Sequence, residues 1–132
     1  MKSALVFLIA FGLISCSEDR FFKQKFDETV TLTNNSSRAI KSMRMWGGNG
    51  VTNPAESKVW TWENISPDST VTVRFNIKRD IKAREGSINY EVIFGENDTL
   101  KTGSYFTNWQ LLSYDKVEIY ENKIDVVRTS GS

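Results

Sequence analysis

A single cysteine, Cys16, and the complete absence of histidine set the chemistry open to this 132-residue chain. Without imidazole it lacks the commonest general acid/base and the commonest metal ligand. Ser-His, Cys-His and zinc sites in their usual forms are therefore excluded. Carboxylates occur in short pairs, Asp27/Glu28 and Glu96/Asp98, without the spacing of a calcium loop, which must supply six to eight oxygens. No catalytic residue, metal ligand or cofactor is expected, and the chain reads as a non-enzyme. What remains is aromatic chemistry. Trp46 stands beside Gly47-Gly48-Asn49-Gly50, and Tyr105, Phe106, Trp109 and Tyr114 gather around a late connection. Binding residues favour such loop margins, where an amphipathic ring can meet a protein or glycan partner. Trp46, Tyr105, Phe106 and Trp109 are the candidate binding surface. Trp60 and Trp62, two apart, share one strand face and are expected in the core. Arg74, Lys78, Arg79, Lys82 and Arg84 read as a solvated strand face and loop.

The position of Cys16 gives it a separate role. Lys2 precedes an uninterrupted run of apolar residues and Gly from Ala4 to Ile14, followed by Ser15 and Cys16. This is the layout of a secretion signal. At about 1.5 Å per residue the run covers roughly half of a ~30 Å hydrocarbon core, too little for a stable span. Leu13-Ile14-Ser15-Cys16 resembles the lipobox of bacterial lipoproteins. The resemblance implies a diacylglycerol thioether on the Cys16 sulfur, cleavage before Cys16 and acylation of the new amine. It also accounts for an odd cysteine in an exported chain, and two or more acyl chains anchor stably. Ser17-Glu18-Asp19 is similar to the acidic export signal of Bacteroidota-type surface lipoproteins. The implied location is the cell envelope, at the outer membrane, periplasmic or surface-exposed. Asp68-Ser69-Thr70 and Asp98-Thr99-Leu100 look like O-glycosylation signals of exported proteins from the same group, with Ser69 and Thr99 as acceptors. Seventeen basic residues, less Lys2, balance sixteen acidic ones. A neutral chain has no general drive toward nucleic acid, so the membrane partner is reached through the acyl chains on Cys16.

These features need elements to hold them. Residues 1–15 read as the signal, 16–25 as lipidated cysteine and tether, 26–129 as one domain and 130–132 as a tail. Inside the domain the hydrophobic pattern has period two. Val30 and Leu32 alternate with threonines; Met43 and Met45 lie on one face of a strand over 40–46, with Ile40 out of phase and a bulge expected. Val71, Val73, Phe75 and Ile77 alternate with polar residues, as do Ile88, Tyr90, Val92 and Phe94; Val117/Ile119 and Ile124/Val126 form a closing hairpin. Asn34-Asn35-Ser36-Ser37, Ser66-Pro67-Asp68-Ser69 and Gly95-Glu96-Asn97-Asp98 supply turns. The fold class is all-β, an antiparallel sandwich of about seven to eight strands, preceded by a helical signal peptide. The stretch 30–75 resembles bacterial β-sandwich modules of immunoglobulin-like or related type, with an Asn-Asn-Ser turn before one strand and a Pro-Asp-Ser turn before another. Gly103–Asn108 and Lys116–Tyr120 are similar to the C-terminal end of small bacterial lipoproteins of unknown function. The expected role is a membrane-anchored binding or accessory module. The alternative is an immunity or inhibitor protein against a toxin or hydrolase of the periplasm or cell surface.

Overall fold

The computed structural model describes residues 27–48, 57–111 and 116–128. The signal, the lipobox with Cys16, the tether, Tyr114 and the 130–132 tail lie outside the described residues. The strands are β1 (Asp27–Asn34), β2 (Ile40–Gly48), β3 (Trp60–Ile65), β4 (Thr70–Asn76), β5 (Gly86–Gly95), β6 (Asp98–Phe106), β7 (Lys116–Ile119) and β8 (Ile124–Val127). They form two four-stranded sheets, in the order β4-β1-β7-β8 and β3-β2-β5-β6. All pairings are antiparallel except β1 with β7, which is parallel. A parallel neighbour needs a long crossover, and β2 to β6 lie between the two strands here.

The core follows from alternation. Val30 and Leu32 of β1, Val73 and Phe75 of β4, and Val117 and Ile119 of β7 point one way; Met43 and Met45 of β2 and Ile88, Tyr90 and Val92 of β5 face them. Fully burying such a side chain contributes about 1.5–3 kcal/mol. Trp60 and Trp62 pair with Met45 and Met43, so they share the inward face. The Trp60 ring lies 5.3 Å from that of Phe75 across the sandwich.

Two features depart from the period-two reading. Ile77 does not extend β4: the strand ends at Asn76 and Ile77–Ile81 makes one π-helical turn, burying Ile77 and Ile81. Asn76 stops the strand by accepting the Arg79 amide on its side chain, while its own amide donates to Asp80. Lys82 closes the turn in the left-handed region (φ 62) by donating to Ile77 O. Gly47 makes room for the turn, since a Cβ there would meet Ile81 at 2.7 Å. The bulge expected in β2 is replaced by a regular register against β3. Asn64, at φ 56, is the irregular residue on β3, next to the Ile40–Ile65 pair, and both isoleucines are buried. The register shift lies instead between Ile93 and Gly95 in β5.

The ends of the sheets are tied by Asn34, which is fully buried. Its amide nitrogen donates to Arg38 O at 2.8 Å and Ile65 O at 3.1 Å. Its side-chain oxygen accepts the Ser36 amide at 3.0 Å and the Ser36 hydroxyl at 2.6 Å. The Asn34 backbone exchanges bonds with the β3–β4 turn, donating to Ser69 O and accepting from Asp68 N. In that turn Pro67 and left-handed Asp68 (φ 63) occupy the central positions, as a type II turn requires.

Candidate binding groove

The outer face of the β3-β2-β5-β6 sheet is built from the positions that alternate away from the core. Strand register sets its rows. Arg44, Glu91 and Lys101 lie directly across from one another on β2, β5 and β6. The next row is Trp46, Asn89 and Gly103, and beyond it come Gly48, Ser87 and Tyr105. Two strand spacings separate β2 from β6, about 10 Å. Because position 103 is a glycine, the middle row has a gap where β6 would otherwise raise a side chain. A Cβ there would sit 3.1 Å from the Asn89 side-chain oxygen.

That gap is the floor of a cavity of about 420 Å³ bordered by Trp46, Ser87, Asn89, Lys101 and Tyr105. The volume is in the range of small-ligand sites. Tyr105 is 56% exposed, whereas Trp46 is half-buried. The indole N–H of Trp46 is buried and has no hydrogen-bond partner among the described residues. Tyr90 and Ser104, which also line the cavity, alternate to its core side. Their hydroxyls are buried on that core side, close to each other. Burial pushes the Tyr90 phenol well above its ordinary value, and nearby Ser104 only partly offsets this, so Tyr90 is neutral.

The charged row acts as a brace. Arg44 grips one Glu91 oxygen through two nitrogens, at 3.0 and 2.7 Å, and Lys101 approaches the other at 3.3 Å. Burial pushes the Glu91 carboxyl up; the hydrogen bonds from Arg44 and Lys101 outweigh this and hold it below the usual carboxylate range. The Arg44 guanidinium also lies over the Trp46 ring, 5.4 Å from its centroid. Arg44 thus bridges the Glu91 carboxylate and the Trp46 ring.

The four aromatics singled out in the sequence do not form one surface. Trp46 and Tyr105 flank the groove. Phe106 faces the opposite way and is fully buried in the core, as alternation from an outward Tyr105 demands. Trp109 belongs to a tight turn at the sandwich end, with Asn108 at φ 50 and Trp109 at φ 63. Its amide donates to Arg84 O, and Lys78 lies over its ring at 5.9 Å. Ser87, Asn89, Lys101 and Gly103 carry no signal in the sequence, because outward polar residues and a strand glycine resemble any solvated face. Ser69 is half-buried at its turn and Thr99 is exposed on β6. The neighbouring Asp98 is paired with Arg38 at 2.7 Å. In the basic segment Arg79 is paired with Asp80. Glu28 accepts the Leu111 amide. Among the described residues no group of three or more acidic, cysteine or histidine side chains is placed to hold a metal. No helix among them is long and apolar enough to cross a membrane.

Compared with protein-family models, curated proteins and solved structures, the chain finds no match.

Proposed function

We propose that this protein is an envelope lipoprotein, anchored through Cys16, whose β-sandwich is a non-enzymatic binding module with the groove between Trp46 and Tyr105 as its contact surface. The observation that carries the reading is the brace running Lys101–Glu91–Arg44–Trp46. An exposed sheet face has no folding need for an aromatic wall held this way, whereas a binding site gains affinity when its contact groups are ordered beforehand. Among the described residues, those lining the groove include no carboxylate. Their hydroxyls, amide, ammonium and rings supply contacts rather than a paired acid and base. The lipid anchor rests on Leu13-Ile14-Ser15-Cys16 behind its apolar run.

The test is an amide chemical-shift map of the isotopically labelled mature chain in detergent micelles, titrated with a digest of envelope glycans and peptides. Shifts are expected to cluster at Trp46, Ser87, Asn89, Lys101 and Tyr105. A cluster on the opposite sheet, β4-β1-β7-β8, rejects the groove as the contact surface.

A further inference from the structure

We infer that the groove takes a sugar ring bearing a carboxylate, a uronic-acid type residue, with Lys101 reading the acid. This rests on the binding reading above and names its ligand class.

Two observations converge on such an occupant. Among the described residues, the lining includes one cation, Lys101, and no anion. Glu91, in the same row as Lys101, is already engaged by Arg44 as well as by Lys101, and the brace of two cations and one anion leaves a positive excess beside the groove. An ammonium has three donors and Lys101 spends one on Glu91, leaving two to meet an incoming carboxylate.

The second observation is the alternation of ring and polar group. Trp46 and Tyr105 offer apolar faces to the C–H face of a pyranose, and Asn89 and Ser87 stand between them as hydrogen-bonding groups. Ser87 and Asn89 bond to each other only at 3.3 and 3.5 Å, which leaves them hydrogen-bonding capacity that a hydrocarbon occupant would bury unused. A hydroxyl-rich ring matches both. Gly103 completes the fit, because a side chain there would fill the space over Asn89.

The experiment compares matched ligands that differ only in the acid: methyl glucuronide against methyl glucoside, and methyl galacturonide against methyl galactoside. Saturation-transfer difference NMR is recorded on the full chain in detergent micelles. At least one uronide is expected to show transfer to its ring protons that weakens as ionic strength rises, with its neutral counterpart bound about tenfold or more weakly. Lys101→Met is expected to remove that preference, reducing uronide binding to the level of the neutral sugar. Trp46→Ala is expected to abolish binding of both. Should Trp46→Ala lose its β-sheet circular dichroism, Tyr105→Ala, at an exposed position, replaces it with the same expected loss. Equal binding of acid and neutral sugars overturns the carboxylate assignment while sparing the binding reading. Transfer from no sugar overturns the sugar assignment, again without touching the chemical-shift map. Uronide binding that is undiminished in both Lys101→Met and Tyr105→Ala places the sugar elsewhere and overturns the site.

Discussion

Replacing Asn34 with alanine removes the side chain that joins the end of β1 to both neighbouring turns. The amide makes four hydrogen bonds: it donates to Arg38 O and Ile65 O, and it accepts from the Ser36 amide and hydroxyl. Two of these partners are partly covered in the variant, because the Ser36 hydroxyl also donates to Arg38 O. That leaves Ile65 O and the Ser36 N–H, both bonded to Asn34 in buried surroundings. An orphaned buried group costs about 1–3 kcal/mol, so the expected loss is about 2–6 kcal/mol. Against a domain stability of about 5–15 kcal/mol this is a large fraction. The assay is urea unfolding followed by tryptophan fluorescence, with the loss read as a lower midpoint at unchanged slope. Asn34→Asp sharpens it. The carboxylate keeps the acceptor but faces two carbonyl oxygens, and burial raises its pKa in the folded state. Its stability deficit should therefore be smallest below the unfolded value of about 3.9 and grow as pH rises toward neutrality. A loss under about 1 kcal/mol for Asn34→Ala, or an Asp variant as stable as wild type at neutral pH, refutes the assignment of Asn34 as a structural tie.

Glu91→Gln should cost about 1 kcal/mol at neutral pH, a modest figure because Arg44 and Lys101 are exposed and screened. Since the Glu91 carboxyl is depressed in the folded state, its contribution is present above the unfolded value of about 4.3 and lost as pH falls through the lower folded one. The variant's acid unfolding curve should be flatter over that window, measured by circular dichroism. Gly47→Ala should cost about 1–3 kcal/mol by driving a methyl into Ile81. A double-mutant cycle with Ile81→Ala should recover part of that cost, and strict additivity would refute the contact. Cys16→Ala should abolish labelling by a clickable palmitate analogue and leave an uncleaved precursor, with folding unchanged. A surviving palmitate signal, or a mature N-terminus elsewhere by intact mass, would sink the lipoprotein reading. A chain beginning at Phe21 should be soluble, β-rich and cooperative in unfolding, checked by circular dichroism across a thermal melt.

The period of the hydrophobic pattern by itself determined that this chain builds sheets, because alternation of Val30/Leu32, Val73/Phe75 and Ile88/Tyr90/Val92 can bury a face only in extended backbone. Turn chemistry at Pro67-Asp68 and Glu96-Asn97 likewise marked the strand ends. The same alternation carried one residue too far at Ile77. A buried isoleucine is consistent with a strand or a turn, and only the Asn76 cap and the space over Gly47 decide for the turn. The parallel pairing of β1 with β7 was not legible, since it joins segments some eighty residues apart. The groove was legible in half. Trp46 and Tyr105 could be chosen for their type and place, but which residues lie between them depends on register. The hairpin pair Gly95–Asp98, continued without interruption, would set Asn89 opposite Ser104. The extra residue between Ile93 and Gly95 shifts the ladder by one, so that Asn89 faces Gly103 and Glu91 faces Lys101. Because side chains alternate strictly along a strand, that one-residue shift decides which β6 side chains share the outer face with Trp46. Local sequence sets the alternation; the phase between strands is a property of the assembled sheet.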